Sequence, residues 1–131
     1  LSRNNVISAS TRMTRQAYER VYGHLEDRDL FTGAVKYEDG YRAGAYFAKL
    51  MPAVDAVFAN GDDIAAGVHQ YYLDHQLTPL PVIGQENLLS SRLLKFSTID
   101  HHLEALGQAA FRLATVQSTT HELIKSDFIK R

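Results

Sequence analysis

Two adjacent carboxylates stand where an apolar run gives way to a helical pattern, in VFANGDDIAAGVHQYY (residues 57–72). Asp62-Asp63 in that place can cap the helix, hold a metal, work as an acid–base pair, or accept the hydroxyls of a polar small molecule. A second group of acceptors, Gly84-Gln85-Glu86-Asn87, closes the next apolar run. The histidines do not assemble a metal site: His69 and His75 are six apart and share no helical face, and the neighbours His101-His102 point apart. No HExxH motif and no cysteine is present, and those are the usual companions of a bound zinc. The serines lie in no G-x-S-x-G elbow, and no Gly-rich phosphate loop follows a strand. Without a nucleophile–base pair, a cofactor loop or a metal set, the residues describe a binding protein, not an enzyme, with no cofactor.

The elements that must position these groups alternate. A strand is expected at Asn5–Ser8 and a helix from Thr11 to Glu26, with Met13, Ala17, Val21 and Leu25 as one apolar stripe. FTGAVKY (31–37) is strand-like, Asp39-Gly40 a break, and Tyr41 to Met51 a helix stopped by Pro52. DAVFA (55–59) is a short continuous apolar run, the mark of a parallel strand covered on both faces. A helix follows from Asp62 to His75, then the linker LTPLP, a strand at VIG (82–84), and a loop or short helix at ENLLSSR. FSTI (96–99) is extended, and a helix runs from His102 to Val116 with Leu103, Leu106, Ala110 and Leu113 on one face. The tail HELIKSDFIKR reads as a final strand. This order predicts an α/β chain, Rossmann-like, with a mostly parallel sheet flanked by helices. Ligands of such sheets sit at the carboxyl ends of the strands, where Asn60-Gly61-Asp62 and Gln85-Glu86-Asn87 lie.

The bulk properties exclude other classes. The 131 residues carry 14 basic and 15 acidic side chains, a net charge of −1 that offers no footprint for nucleic acid. A chain of this length is one domain that buries roughly two-thirds of its unfolded surface. No apolar run approaches the roughly 20 residues that span a bilayer. The absence of cysteine fits a cytoplasmic chain. LSRNNVISAS is no signal peptide and reads as mid-chain sequence, so a fragment of a longer protein is expected.

In order and spacing, residues 57–114 resemble the C-terminal part of the lactose/galactose-repressor (LacI/GalR) family of bacterial transcription regulators. The matching features are Gly61-Asp62, Ile64-Ala65-Ala66-Gly67, Pro81, Val82-Ile83-Gly84, Ser97-Thr98-Ile99 and Leu106-Gly107-Gln108-Ala109-Ala110. TRMTRQAY and YEDGYRAGAYFAKLM are similar, more weakly, to the family's earlier Arg-bearing helix and its Glu-x-Gly-Tyr helix start. The resemblance implies a periplasmic-binding-protein-like fold, in which two α/β subdomains close on a small-molecule effector, often a sugar or sugar derivative. It makes residues 1–131 the C-terminal part of the effector-binding and dimerisation domain, with a helix that crosses to the other subdomain. The helix-turn-helix and the first subdomain would lie outside this chain, so DNA is a partner only through that absent head. A periplasmic sugar receptor of the same fold is the other binding-module reading.

The same resemblance assigns residues. Asp62 matches an effector-contacting acid, although an N-terminal helix cap explains it equally. Gly61 precedes it. Glu86 stands where the family has an Asp, and Gln85 where it has an aromatic. Arg15 matches an arginine that reaches the crevice, with Arg12 one turn earlier as the other candidate. Val35 or Tyr37 would supply an apolar wall, and Leu103 another from the crossing helix, unless Tyr37 and Leu103 are ordinary packing. Ala66, Gln70 and Leu94 fall on the surfaces through which family members form homodimers, although Tyr71, Tyr72, Leu93 and Leu94 equally suit a core. The stripe Leu103, Leu106, Ala110, Leu113 would lose its partner in this piece, and such a stripe favours association between copies.

Overall fold

The computed structural model describes residues 9–116 and 120–131. The expected strand at Asn5–Ser8 lies outside them. The helices are α1 (Ala9–Tyr22), α2 (Tyr37–Ala48), α3 (Asp62–Asp74), α4 (Leu89–Leu94) and α5 (Leu103–Thr115), with a 3-10 turn at Asp27–Asp29. The strands are β1 (Val57–Phe58), β2 (Val82–Gln85), β3 (Ser97–Asp100) and β4 (Asp127–Ile129). They form one sheet in the order β1-β2-β3-β4. The first three are parallel, with Val57 opposite Val82 and Ile83 opposite Ser97. β4 returns antiparallel to β3, with Thr98 opposite Ile129 and Asp100 opposite Asp127. The α/β, mostly parallel architecture is as the sequence pattern predicts.

The core gathers Ala43 and Phe47 of α2, Ile64, Ala65, Val68 and Tyr72 of α3, Val57, Val82, Leu80 and Phe96. Its densest contact is the crossing of α2 on α3, which glycines make possible. A Cβ on Gly40 would stand 2.1 Å from the Ile64 carbonyl oxygen, and one on Gly67 would stand 2.1 Å from that of Tyr37. No side chain fits at either place, so the two backbones meet directly.

Three expectations are corrected. Residues 31–36 form no strand; α2 starts at Tyr37, and Asp39-Gly40 lies inside its first turn. The cause is Asp39, whose Oδ2 accepts the Val35 and Lys36 amides at 2.9 and 3.2 Å and so fixes a helix start. On α1, Met13 and Val21 are 66 % and 71 % exposed, and of the proposed stripe only Leu25, beyond the helix, is buried. β1 is covered on one face only: Val57 is buried and Phe58 exposed.

Candidate functional site

The carboxyl ends of β1, β2 and β3 lie side by side because the strands are parallel and in register. Each delivers polar side chains to one edge: Asn60 to Asp63 after β1, Gln85 to Asn87 at the end of β2, and Asp100 to His102 at the end of β3. β4 enters at the same edge through Ser126 and Asp127, being antiparallel to β3.

Asp62 does not face out of this edge. It is wholly buried. Its Oδ1 accepts the Thr98 hydroxyl at 2.6 Å and its Oδ2 the Leu88 amide at 2.7 Å. A Cβ on Gly84 would stand 2.1 Å from Asp62 Oδ1, so the strand passes too close for any other residue. The carboxylate therefore ties the start of α3 to β3 and to the loop after β2. Both oxygens of this enclosed side chain are thereby hydrogen-bonded, as a buried polar group requires.

That loop carries Glu86, which is exposed. Its φ is +96° and that of Asn87 is +53°, a backbone region that L-residues rarely occupy. Two bonds hold the corner. The Glu86 amide donates to the Ile99 carbonyl at 2.7 Å, and Asp62 holds the Leu88 amide. Strain maintained by its surroundings gathers at functional sites. The Glu86 carboxylate projects beside Gly61: Oε2 lies 3.9 Å from the place of a Cβ there.

A run of hydrogen bonds crosses the edge. The Ser10 hydroxyl and the Gln85 amide both donate to Asn60 Oδ1 at 3.0 Å. His101 Nε2 meets Gln85 Oε1 at 2.9 Å, and its Nδ1 meets the Ser126 hydroxyl at 2.8 Å. Beside this run, Asn87 donates to Asp100 Oδ2, and the His102 amide to Asp100 Oδ1. The His102 amide first, then the Asn87 side chain, holds the Asp100 carboxyl below the ordinary carboxylate range. Sequence reading placed Asn60 and Gln85 among the acceptors at the strand ends, and considered His101 and His102 as metal ligands only to set that role aside. Their signal was position: β3 ends at the same edge as β1 and β2.

The other predicted residues fall elsewhere. Arg15 is folded onto its own helix, with Nε on Glu19 at 3.0 Å and a terminal nitrogen 3.4 Å from the Leu25 carbonyl. Arg12 is exposed. Tyr37 opens α2 and lines a shallow surface hollow of about 550 Å³ with Lys36, Glu38, Asp39, Tyr41 and Arg42. Val35 is exposed and bonds Asp39 through its backbone. Leu103, at the start of α5, is half-exposed. Ala66 is buried in the core, Leu94 packs against it, and Gln70 bonds Asp74 at 2.7 Å. The exposed apolar residues of α4 are Leu89 and Leu93.

A parallel sheet with acceptors along its strand ends, and a helix carried away from it between β3 and β4, defines one half of a periplasmic-binding-protein-like fold. Solved structures share it. The transcriptional regulator CelR in complex with cellobiose is 19 % identical with a TM-score of 0.73, over 92 % of this chain and 41 % of that one. A LacI-family regulatory protein from Corynebacterium glutamicum is 25 % identical with a TM-score of 0.67, over 76 % and 42 %. Among curated proteins, catabolite control protein B of Bacillus subtilis (strain 168) is 35 % identical over 124 residues, or 95 % of this chain. No protein-family model matches. The chain belongs to the LacI/GalR family of transcription regulators and falls within its effector-binding domain. It spans 40 % of the length of the Bacillus relative.

Proposed function

We propose that this chain forms one wall of a cleft for a sugar or sugar derivative, and that closure of the cleft changes DNA binding by the full-length protein. The observation that carries the reading is Glu86, an exposed carboxylate on a strained corner that β3 and Asp62 of α3 hold at the strand ends. A carboxylate accepts two neighbouring hydroxyls at once, which suits a polyol. Asn60 and the exposed Asp63 extend the row of acceptors. Asp62 acts through the corner it braces, and Gly61 leaves room beside the Glu86 carboxylate. Arg15 joins by giving up its long bond to Leu25. Tyr37 and Leu103 would border the cleft.

The second wall comes from the remainder of the protein. Leu103, Leu106 and Phe111 on α5 are 50 %, 48 % and 73 % exposed, an apolar face suited to a second subdomain. Residues 1–131 are then the C-terminal part of the effector domain. It acts in the cytoplasm, as a homodimer, with DNA gripped by a head outside this chain. A ligand that binds the closed form better shifts the equilibrium by its differential affinity alone. That CelR is described in complex with cellobiose supports a sugar as the ligand.

Titration calorimetry of the full-length protein with mono- and disaccharides, cellobiose included, tests the reading. One sugar should bind, and Glu86→Ala should weaken it about 10- to 100-fold, the loss expected for hydrogen bonds to a charged group. Affinity unchanged by Glu86→Ala would remove Glu86, and this reading of the edge, from the site.

A further inference from the structure

Glu86 and Asn87 are consecutive residues with positive φ, +96° and +53°, and neither is glycine. Asparagine tolerates this region through its short polar side chain; glutamate does not. Such a corner persists only when its surroundings hold it. Its three amides are all engaged: Glu86 with the Ile99 carbonyl, Asn87 with Thr98 Oγ1 at 3.3 Å, and Leu88 with Asp62 Oδ2. The Glu86 carboxylate has no hydrogen-bond partner of its own among the described residues, so its backbone is what places it.

The Asn87 side chain is engaged at both ends as well. Its Nδ2 donates to Asp100 Oδ2 at 2.9 Å, and its Oδ1 accepts from Arg131, 44 positions further on. Arg131 follows β4 and is anchored there by its own amide, which donates to Ser97 Oγ at 3.2 Å. One terminal nitrogen of its guanidinium is on Asn87, and the other is on Ser91 Oγ at 3.2 Å. Ser91 is wholly buried in α4, and its hydroxyl donates to the Leu88 carbonyl at 2.8 Å. The guanidinium therefore reaches the corner twice, at Asn87 directly and at Leu88 through Ser91. A rigid planar fork can do this; a lysine ammonium, a point donor on a flexible stem, does not.

We propose that Arg131 and Asn87 are positioning residues for Glu86. The guanidinium clamps the Asn87 amide, and the clamped corner holds the Glu86 carboxylate at the strand ends. That Glu86 meets a ligand rests on the proposed function; the clamp itself does not.

Hydrogen exchange on the free full-length protein tests the clamp without a ligand. Arg131→Ala should speed exchange in residues 84–90 about three- to tenfold, as loss of one net hydrogen bond gives, with α3 unchanged. Asn87→Ala should do at least as much, and adding Arg131→Ala to it should change nothing further. Affinity is then read with the sugar of the mono- and disaccharide panel, cellobiose included, that binds tightest. Arg131→Ala should weaken it about three- to tenfold, and Arg131→Lys should recover only part. In a Glu86→Ala background Arg131→Ala should cost no further affinity, because it acts through that carboxylate. Glu86→Gly should bind as poorly as Glu86→Ala yet unfold at a higher denaturant midpoint, since glycine adopts a positive φ without strain. Unchanged exchange at 84–90 in Arg131→Ala, an equal rise across α3, or an undiminished loss of affinity in the Glu86→Ala background would each overturn the clamp. Weaker binding in Glu86→Ala with none in Arg131→Ala would overturn it too and leave the proposed function standing. No effect of Glu86→Ala would overturn the proposed function, and the exchange result would then decide the clamp alone.

Discussion

α3 and α5 are both 13 residues long, and both carry apolar side chains at helical spacing. α3 buries seven of its residues and α5 one. The difference is not in the helices. α3 has its cover within this chain: α2 crosses it on Gly40 and Gly67, β2 lies beneath it, and α4 flanks it. α5 meets nothing comparable among the described residues, and its face of Leu103, Leu106 and Phe111 stays open. Amphipathic pattern shows that a helix has a partner; it does not show on which part of the protein the partner lies.

Substitutions can break or sharpen this contrast. Gly67→Ala or Gly40→Ala drives a methyl into a backbone carbonyl and should cost about 3 kcal/mol or more of stability in denaturant unfolding, at the upper end of overpacking effects. Gly107→Ala in α5, where a Cβ meets nothing within 4 Å, should instead stabilise the chain by about 0.5–1 kcal/mol. Equal effects would show that α5 is packed as α3 is. Asp62→Ala strands the Leu88 amide and the Thr98 hydroxyl and should cost about 2–3 kcal/mol. Tyr72→Phe removes a buried hydroxyl with no partner among the described residues and should raise stability by about 1 kcal/mol.

Leu106→Glu with Phe111→Glu should change the unfolding free energy of residues 1–131 by less than about 0.5 kcal/mol, as exposed sites do. The same pair should disperse the association between copies that the open face favours. A parent fragment that stays a monodisperse monomer at high concentration in light scattering would contradict that association. The smallest effect is on pH. The Val35 amide foremost, with the Lys36 amide and Arg42, holds the Asp39 carboxyl below its ordinary range. Its contribution is present above the unfolded value, near pH 4, and is lost as pH falls through the lower folded one. Asp39→Asn should flatten the acid limb of the stability curve.

The strand–helix alternation was legible because burial imposes its period on the residues. The pattern gave α3 and α5 to within a residue or two, and the parallel order of β1 to β3 followed from the helices between them. Residues 31–37 misled because their apolar content favours a strand, whereas Asp39, two residues further on, captures the backbone for a helix. Gly40 looked like a break and is a contact; only the opposing Ile64 carbonyl distinguishes the two. Asp62 stood at the right edge but faces inward, since its partners Leu88 and Thr98 lie 26 and 36 positions away. Local spacing does not encode those bonds. The family's residue pattern pointed to Glu86, and the structure adds the bonds that hold its corner.

The most direct test of the account is hydrogen exchange on the full-length protein, with and without the sugar that binds tightest in calorimetry. Protection should concentrate at residues 60–63 and 84–88, with residues 100–103 following and the far end of α3 unchanged. Protection confined to the hollow at 36–42, or to any surface away from the strand ends, would contradict it.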